Sequence, residues 1–201
     1  TADDLAHSAT HPGKGLGRIW WEDNDGDGDI DLDDRVWFGT PEPLFSFGLN
    51  VSLSYKNVDF SMFWEGKAGW TAYTPTKSQT DFYAVAAEGT NRGKRILNAW
   101  TPENNKSKIP AIAYSNDNDE GRTSTYLYEN HSFAKLRNIQ VGYSFNFPAL
   151  KSAGIDKLRI YVTGQNLIQI TSKDFSGVDP EQTSYSYPLP LTVIAGLQLG
   201  F

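Results

Sequence analysis

Asp23 to Asp34 reads D-N-D-G-D-G-D-I-D-L-D-D. Counting Asp23 as the first position puts Asp25 third, Asp27 fifth, Gly28 sixth, Asp29 seventh and Asp34 twelfth. This is the register of a calcium loop, with aspartate in place of the usual bidentate glutamate at the last position. A hard cation takes about six to eight oxygen ligands, and the glycine permits the sharp turn that gathers them. Starting the count at Asp25 would put Ile30 at the glycine position, so that register is disfavoured. The competing reading is a solvated acidic turn, but so many carboxylates crowded together repel one another when no cation is present. The spacing therefore predicts a structural Ca2+ held by Asp23, Asp25, Asp27, Asp29 and Asp34. The flanking helices of an EF-hand are not evident, which makes this an isolated loop inserted at residues 23–34.

No other constellation in the 201 residues carries chemistry of comparable specificity. The chain has no cysteine, so thiolate metal sites and disulfides are excluded. His7, His11 and His131 lack metal-ligand spacing, and nothing resembles a nucleophile elbow. Gly13-Lys14-Gly15-Leu16-Gly17 lacks the Lys-Ser/Thr ending of a phosphate loop. No catalytic set is expected. Asn50, Asn105 and Asn130 each begin an Asn-x-Ser triplet, but Asn50 falls inside an expected membrane strand, which disfavours glycosylation. Trp70, Trp100, Tyr126 and Tyr185 lie in long connections and are candidates for stacking on a sugar or contacting a lid, against the plainer reading that such rings pack a long loop. A net charge of −6 and a pI near 5.0, with no basic stripe, exclude a nucleic-acid surface.

The elements around these residues read as strands. Phe45, Phe47, Leu49, Val51, Leu53 and Tyr55 fall on one face, and Ser46, Gly48, Asn50, Ser52 and Ser54 on the other. Lys56-Asn57 makes a tight turn into a strand from Val58 to Lys67, whose apolar face ends on Trp64. Further alternation covers Ala134 to Phe147, Lys157 to Asn166 and Leu191 to Phe201, and Gly15 to Glu22 alternates weakly enough to suggest a short sixth strand. From Gly66 to about Ser132 the periodicity disappears, although the aromatic residues there, Tyr83 and Tyr114 among them, argue against disorder. Residues 84–100 have room for a short helix, and Asn116 to Glu120 reads as a charged turn tip. The mean hydropathy of −0.48 and the lack of a long apolar run exclude a transmembrane helix but not a barrel of alternating strands. Short connections alternate with long ones, as in outer-membrane barrels, where short turns face the periplasm and long loops face outward. Asp59, Glu65, Arg159 and Gln165 would face the interior. Six strands cannot close such a barrel, so the chain is expected to be part of a larger one. The rival architecture is a secreted, calcium-stabilised β-sandwich such as a carbohydrate-binding module.

Several motifs occur in order along nearly the whole chain: D-N-D-G-D-G-D-I-D-L-D-D-R at 23–35, F-G-T-P-E-P at 38–43, S-Y-K-N-V-D-F-S at 54–61, A-K-L-R-N-I-Q-V-G-Y at 134–143, V-T-G-Q-N-L at 162–167, G-V-D-P-E at 177–181 and Y-P-L-P at 187–190. Together they resemble the SusC/RagA-type TonB-dependent outer-membrane transporters. The resemblance implies an all-β, antiparallel transmembrane barrel of 22 strands, the size of the plugged outer-membrane transporters. Residues 1–201 would be its last six strands, with the plug domain and TonB box absent and a long extracellular loop at 66–132. It further implies a location in the outer membrane of a Gram-negative bacterium, surrounded by lipid and the rest of the barrel, with a SusD-like lipoprotein as lid and the TonB complex as energy source. The imported substrate would be an oligosaccharide or, in some systems, a peptide, and Phe201 would belong to a terminal assembly signal.

Overall fold

A computed structural model describes residues 2–81, 92–113, 115–152, 154–184 and 186–201. The chain divides into two compact units. One gathers Thr1–Gly39 with Tyr73–Glu129 and Thr183–Tyr185, and the other gathers Thr40–Ala72, Asn130–Gln182 and Ser186–Phe201. In order, the elements are α1 (Ala2–His7), β1 (Phe45–Tyr55), β2 (Val58–Ala68), β3 (Thr71–Tyr73), α2 (Pro75–Thr80), β4 (Tyr128–Asn130), β5 (Phe133–Phe145), α3 (Pro148–Ser152), β6 (Lys157–Thr171) and β7 (Thr192–Gly200). Short 3-10 turns occupy Lys94–Asn98 and Thr125–Leu127. Of the helix expected within 84–100, the described part, residues 92–100, holds the first of these turns, and residues 82–91, with Tyr83, lie outside the described residues, as does Tyr114.

The second unit is a five-stranded antiparallel sheet in the order β1-β2-β5-β6-β7. Its registers align the apolar halves of the alternation: Leu53 lies opposite Phe60, Phe60 opposite Val141, Val141 opposite Val162 and Val162 opposite Ala195. Such cross-strand pairs are what hold a sheet in register, because a slip of one residue would turn every side chain to the other face. The resulting apolar face is uncovered: Leu53, Val193 and Leu197 are 62%, 63% and 60% exposed. The opposite face is mostly polar. There Ser52, Ser61, Gln140 and Thr163 form one row, which ends on Ile194 of β7, and Thr163 Oγ1 donates to Gln140 Oε1 at 3.2 Å.

Two features of the sheet depart from simple alternation. Period two would put Lys135 and Arg137 on the apolar face with Ile139 and Val141. The register instead shifts at Arg137, so that Phe63 pairs with Asn138 but Trp64 with Leu136. This bulge leaves Arg137 without a partner and swings both cations to the polar face. The second feature is Gly142, which lies between β2 and β6. Arg159 reaches Asp59 across it, with Nε to Oδ1 at 2.9 Å and Nη2 to Oδ2 at 2.5 Å. A Cβ on Gly142 would lie 2.5 Å from Arg159 Nη2 and 2.6 Å from Asp59 Oδ1, so this two-pronged ion pair needs a residue without a side chain.

The expected strand over 15–22 is absent among the described residues, which hold five long strands rather than six. Arg18 N–H bonds back to the Gly15 carbonyl in a turn, and side chains satisfy the main chain of Ile19. With its backbone groups occupied in this way, the segment has no need of a neighbouring strand. β6 runs five residues beyond the expected end at Asn166. That asparagine takes a positive φ of 53°, absorbed in the irregular stretch where two residues of β6 face one of β5, and Ile168 and Ile170 then resume the alternation. The turn at Lys56-Asn57 is as expected, with Lys56 at φ 53°.

Candidate functional site

The candidate site belongs to the first unit, whose anchor is a buried ion pair. Arg18 donates from Nε to Glu120 Oε1 at 2.8 Å and from Nη2 to Oε2 at 3.0 Å, while Nη1 reaches Asp117 at 3.0 Å. Glu120 also accepts the Ile19 N–H at 3.1 Å, and Asn118 Nδ2 donates to the Ile19 carbonyl at 3.1 Å. Asn116 to Glu120 is a turn, as expected, closed by the Asp119 N–H on the Asn116 carbonyl at 3.1 Å, and its buried Asn118 and Glu120 make it the internal anchor of its unit.

Around this anchor opens a cleft of about 1010 Å3 lined by Trp20, Trp21, Trp100, Tyr126, Arg122 and parts of the aspartate turn, among others. Trp21 Nε1 donates to the Asn118 carbonyl at 3.0 Å, and the Arg122 guanidinium lies 5.0 Å over the Trp21 ring, a cation–π contact. The Tyr126 hydroxyl donates to Asp81 Oδ2 at 2.6 Å, and Lys77 Nζ sits 4.2 Å over its ring. Burial, then the bond to Asp81, pushes the Tyr126 phenol well above its ordinary pKa, so it stays a protonated donor committed to Asp81. Trp20 differs from these neighbours in being 55% exposed, which leaves a ring open for stacking.

The aspartate turn forms part of the cleft wall through Ile30, Asp31 and Asp34. Gly26 and Gly28 take φ of 80° and 91°, the left-handed conformation the turn requires. Asp23 accepts the N–H groups of Gly26 at 2.6 Å and Gly28 at 2.9 Å, and the turn is tied to Thr10, whose N–H bonds the Gly28 carbonyl at 2.8 Å. Carboxylate oxygens of Asp23, Asp25 and Asp27 come within 4.8 Å of one another. Although the Asp27 N–H favours a charged Asp25, lost solvation and the carboxylates of Asp27, Asp34 and Asp23 outweigh it and raise the Asp25 pKa. Asp34, like Asp23, binds the main chain of the turn: its carboxylate accepts the N–H groups of Asn24 at 2.6 Å and Asp31 at 2.7 Å, closing the turn on itself. Those two bonds hold the Asp34 pKa below its ordinary value. Asp29 lies outside the three-carboxylate group, with its N–H bound by Asp27 Oδ1 at 2.8 Å.

Of the four aromatic candidates, Trp100 and Tyr126 share the cleft. Trp70 belongs to the sheet unit, its ring edge-on to His131 at 5.3 Å, and Tyr185 lies outside the described residues. The sheet unit also holds a charge cluster that periodicity did not reveal. Lys135 Nζ lies 2.6 Å from both Asp179 Oδ1 and Glu181 Oε2, and Arg137 bonds Glu65 at 2.9 Å and Glu181 at 2.5 Å. Burial opposes the charge on Asp179 and Glu181, but their bonds to Lys135, Arg137 and the Glu181 N–H prevail and hold both carboxyls below their ordinary pKa. The readable sign was two cations falling on the apolar parity of a strand, which points to a bulge.

No protein-family model matches the chain. TonB-dependent receptor P3 of Formosa agariphila is 33% identical over 159 residues, 79% of this chain and 15% of that protein. TonB-dependent receptor SusC of Bacteroides thetaiotaomicron is 30% identical over 185 residues, 89% of this chain and 17% of that protein. The chain belongs to the TonB-dependent receptors of the SusC/RagA type. A solved structure of the RagAB peptide transporter shares the fold of this SusC/RagA-type segment at a TM-score of 0.73 and 22% identity, over 96% of the segment and 22% of the solved chain. The segment thus spans about a fifth or less of the proteins it resembles. Its relatives are named as receptors, which agrees with the lack of a catalytic set in the sequence.

Proposed function

We propose that this segment is the C-terminal part of the wall, with an outer loop unit, of a TonB-dependent importer in the outer membrane of a Gram-negative bacterium. The observation that carries this reading is the two-sided sheet. One face is apolar, continuous across five strands and open, and the other is polar and laced with ion pairs. A secreted β-sandwich would bury its apolar face beneath a second sheet, and among the described residues the only other sheet is the two-stranded β3-β4. Lipid against the apolar face and an aqueous interior against the polar one satisfy both. The free edges at β1 and β7 are then paired by the remaining strands of a barrel of about 22. Energy comes through TonB, and a SusD-like lipoprotein covers the outer side.

The substrate we assign is an oligosaccharide rather than a peptide. Trp20 offers an open aromatic face, while backbone groups along the cleft are already bonded internally: Ile19 N–H and carbonyl, Trp100 N–H and Asp31 N–H. A peptide that binds by strand addition needs such groups free, whereas a sugar ring needs a flat apolar surface with polar side chains nearby. The test is binding of neutral oligosaccharides and of mixed peptides to the intact transporter and its Trp20→Ala variant. The expected result is glycan binding weakened by about tenfold or more in the variant. Peptide binding that survives the substitution, with no glycan retained by either protein, would overturn the assignment.

We further propose that Asp23, Asp25 and Asp27, with carbonyl oxygen from the turn, hold Ca2+ as a structural ion. The three carboxylates within 4.8 Å of one another support this, since a cation would relieve their mutual repulsion. Chelation, or Asp25→Ala with Asp27→Ala, is expected to expose residues 23–34 to protease at sub-millimolar calcium while the untreated protein stays protected. Identical cleavage under both conditions would count against the ion.

A further inference from the structure

We propose that the connection between β6 and β7 is an inward-folded constriction loop, its Gly177–Gln182 turn laid across the polar face of the sheet and clamped there by Lys135 and Arg137. The inference rests on the barrel reading, in which that face borders the lumen. A connection of this length in a barrel either projects into water or folds back over the interior. The charge cluster decides between them. Lys135, Arg137 and Glu65 all stand on the polar face, so Asp179 and Glu181 can meet them only from that side. The Lys135 and Asp179 side chains are 3% and 2% exposed, so the turn seals the wall rather than resting loosely on it.

Neutral contacts complete the clamp. The Pro180 carbonyl lies 2.8 Å from Nδ1 of the buried His131, whose ring stands edge-on to Trp70 and, at 4.8 Å, to Phe175. Asp179 Oδ1 also accepts the Glu181 N–H at 3.0 Å, and Gln169 Nε2 donates to the Val178 carbonyl at 3.1 Å. A turn held by this many directional contacts does not swing as a gate. It narrows the passage permanently, and the motion of transport must reside elsewhere. The same contacts explain two stretches that drew notice in the sequence without a role, A-K-L-R-N at 134–138 and G-V-D-P-E at 177–181, which are the two halves of one clasp.

The experiment is hydrogen exchange on the full-length transporter in outer-membrane vesicles, with β7 as the internal control. In the wild type, amides of 177–182 are expected to exchange about as slowly as those of 192–200. Lys135→Met strands the Asp179 carboxylate and should speed exchange at 177–182 by about tenfold or more, with β7 unchanged. Lys135→Met with Asp179→Asn removes the stranded charge and should recover part of the protection. If Lys135→Met fails to assemble, Glu181→Gln, which leaves β5 untouched, is expected to loosen the same amides. Fast exchange at 177–182 in a wild type with protected β7, or unchanged protection in the variants, would overturn the clamp alone. Unprotected β7 in the wild type would overturn the barrel reading beneath it.

Discussion

Replacing Arg18 with methionine is expected to open the loop unit while leaving the sheet assembled. Methionine keeps much of the length and apolar bulk of the arginine stem, so the change isolates the guanidinium. What it abandons is Glu120, whose side chain is 1% exposed and whose two oxygens face Arg18 Nε and Nη2. Breaking a buried pair from one side costs about 3–5 kcal/mol, because a carboxylate without its partner must ionise in a dry site, take up a proton or pull the structure open to water. The Ile19 N–H and the Asn118 side chain still bond Glu120, but neither carries charge to offset it. Loosening should therefore appear at 15–22 and 116–124, as faster hydrogen exchange and new protease cleavage, with β1 and β2 remaining protected. Arg18→Met combined with Glu120→Gln should be milder than the single change. A single variant as protected as the wild type would show that the pair is not the anchor described here.

An arginine in place of Val141 should have the largest effect on the sheet, and the same residue in place of Ser52 almost none. Val141 lies on the apolar face, between Phe60 and Val162 in the register. On the proposed barrel reading a cation there would sit in hydrocarbon, at about 2–4 kcal/mol near the middle of a bilayer. Read as an equilibrium, that is roughly a 30- to 1000-fold penalty on the folded barrel. The folded, heat-modifiable band of the full-length protein should fall accordingly. Ser52 lies on the polar face, where an arginine meets water and neighbouring serines. Its variant should keep a yield within about twofold of wild type. Equal tolerance at the two positions would mean that the apolar face does not meet lipid.

The sheet was legible in the sequence because its signal is local. Six alternating apolar residues from Phe45 to Tyr55 announce a strand without reference to anything outside it. Its partner is implied by the two-residue turn at Lys56-Asn57. The aspartate turn was legible for the same reason, since Gly28 and the acidic positions around it lie within twelve residues of each other. The loop unit was not. Its anchor joins residues 102 apart in sequence, and the bonds at Ile19 come from the side chains of Asn118 and Glu120 rather than from another strand, so no periodicity records them. Weak alternation at 15–22 therefore suggested a strand where side chains had replaced the ladder. The charge clasp was hidden in another way. One bulged residue, Arg137, reverses the facing of those before it, so Lys135 appears on the apolar side to any count that assumes an unbroken period of two.

Gly142 has a bearing on how this sheet can vary through evolution. Its missing side chain is the space through which Arg159 reaches Asp59, so positions on three different strands act as one heritable character. A mutation at any one of them changes what the other two can tolerate. A lineage that acquired a side chain at 142 would hold two opposite charges on the polar face with the path between them obstructed, and selection would favour losing both. In alignments of this region, glycine at 142 should thus travel with the acid at 59 and the arginine at 159, and depart with them.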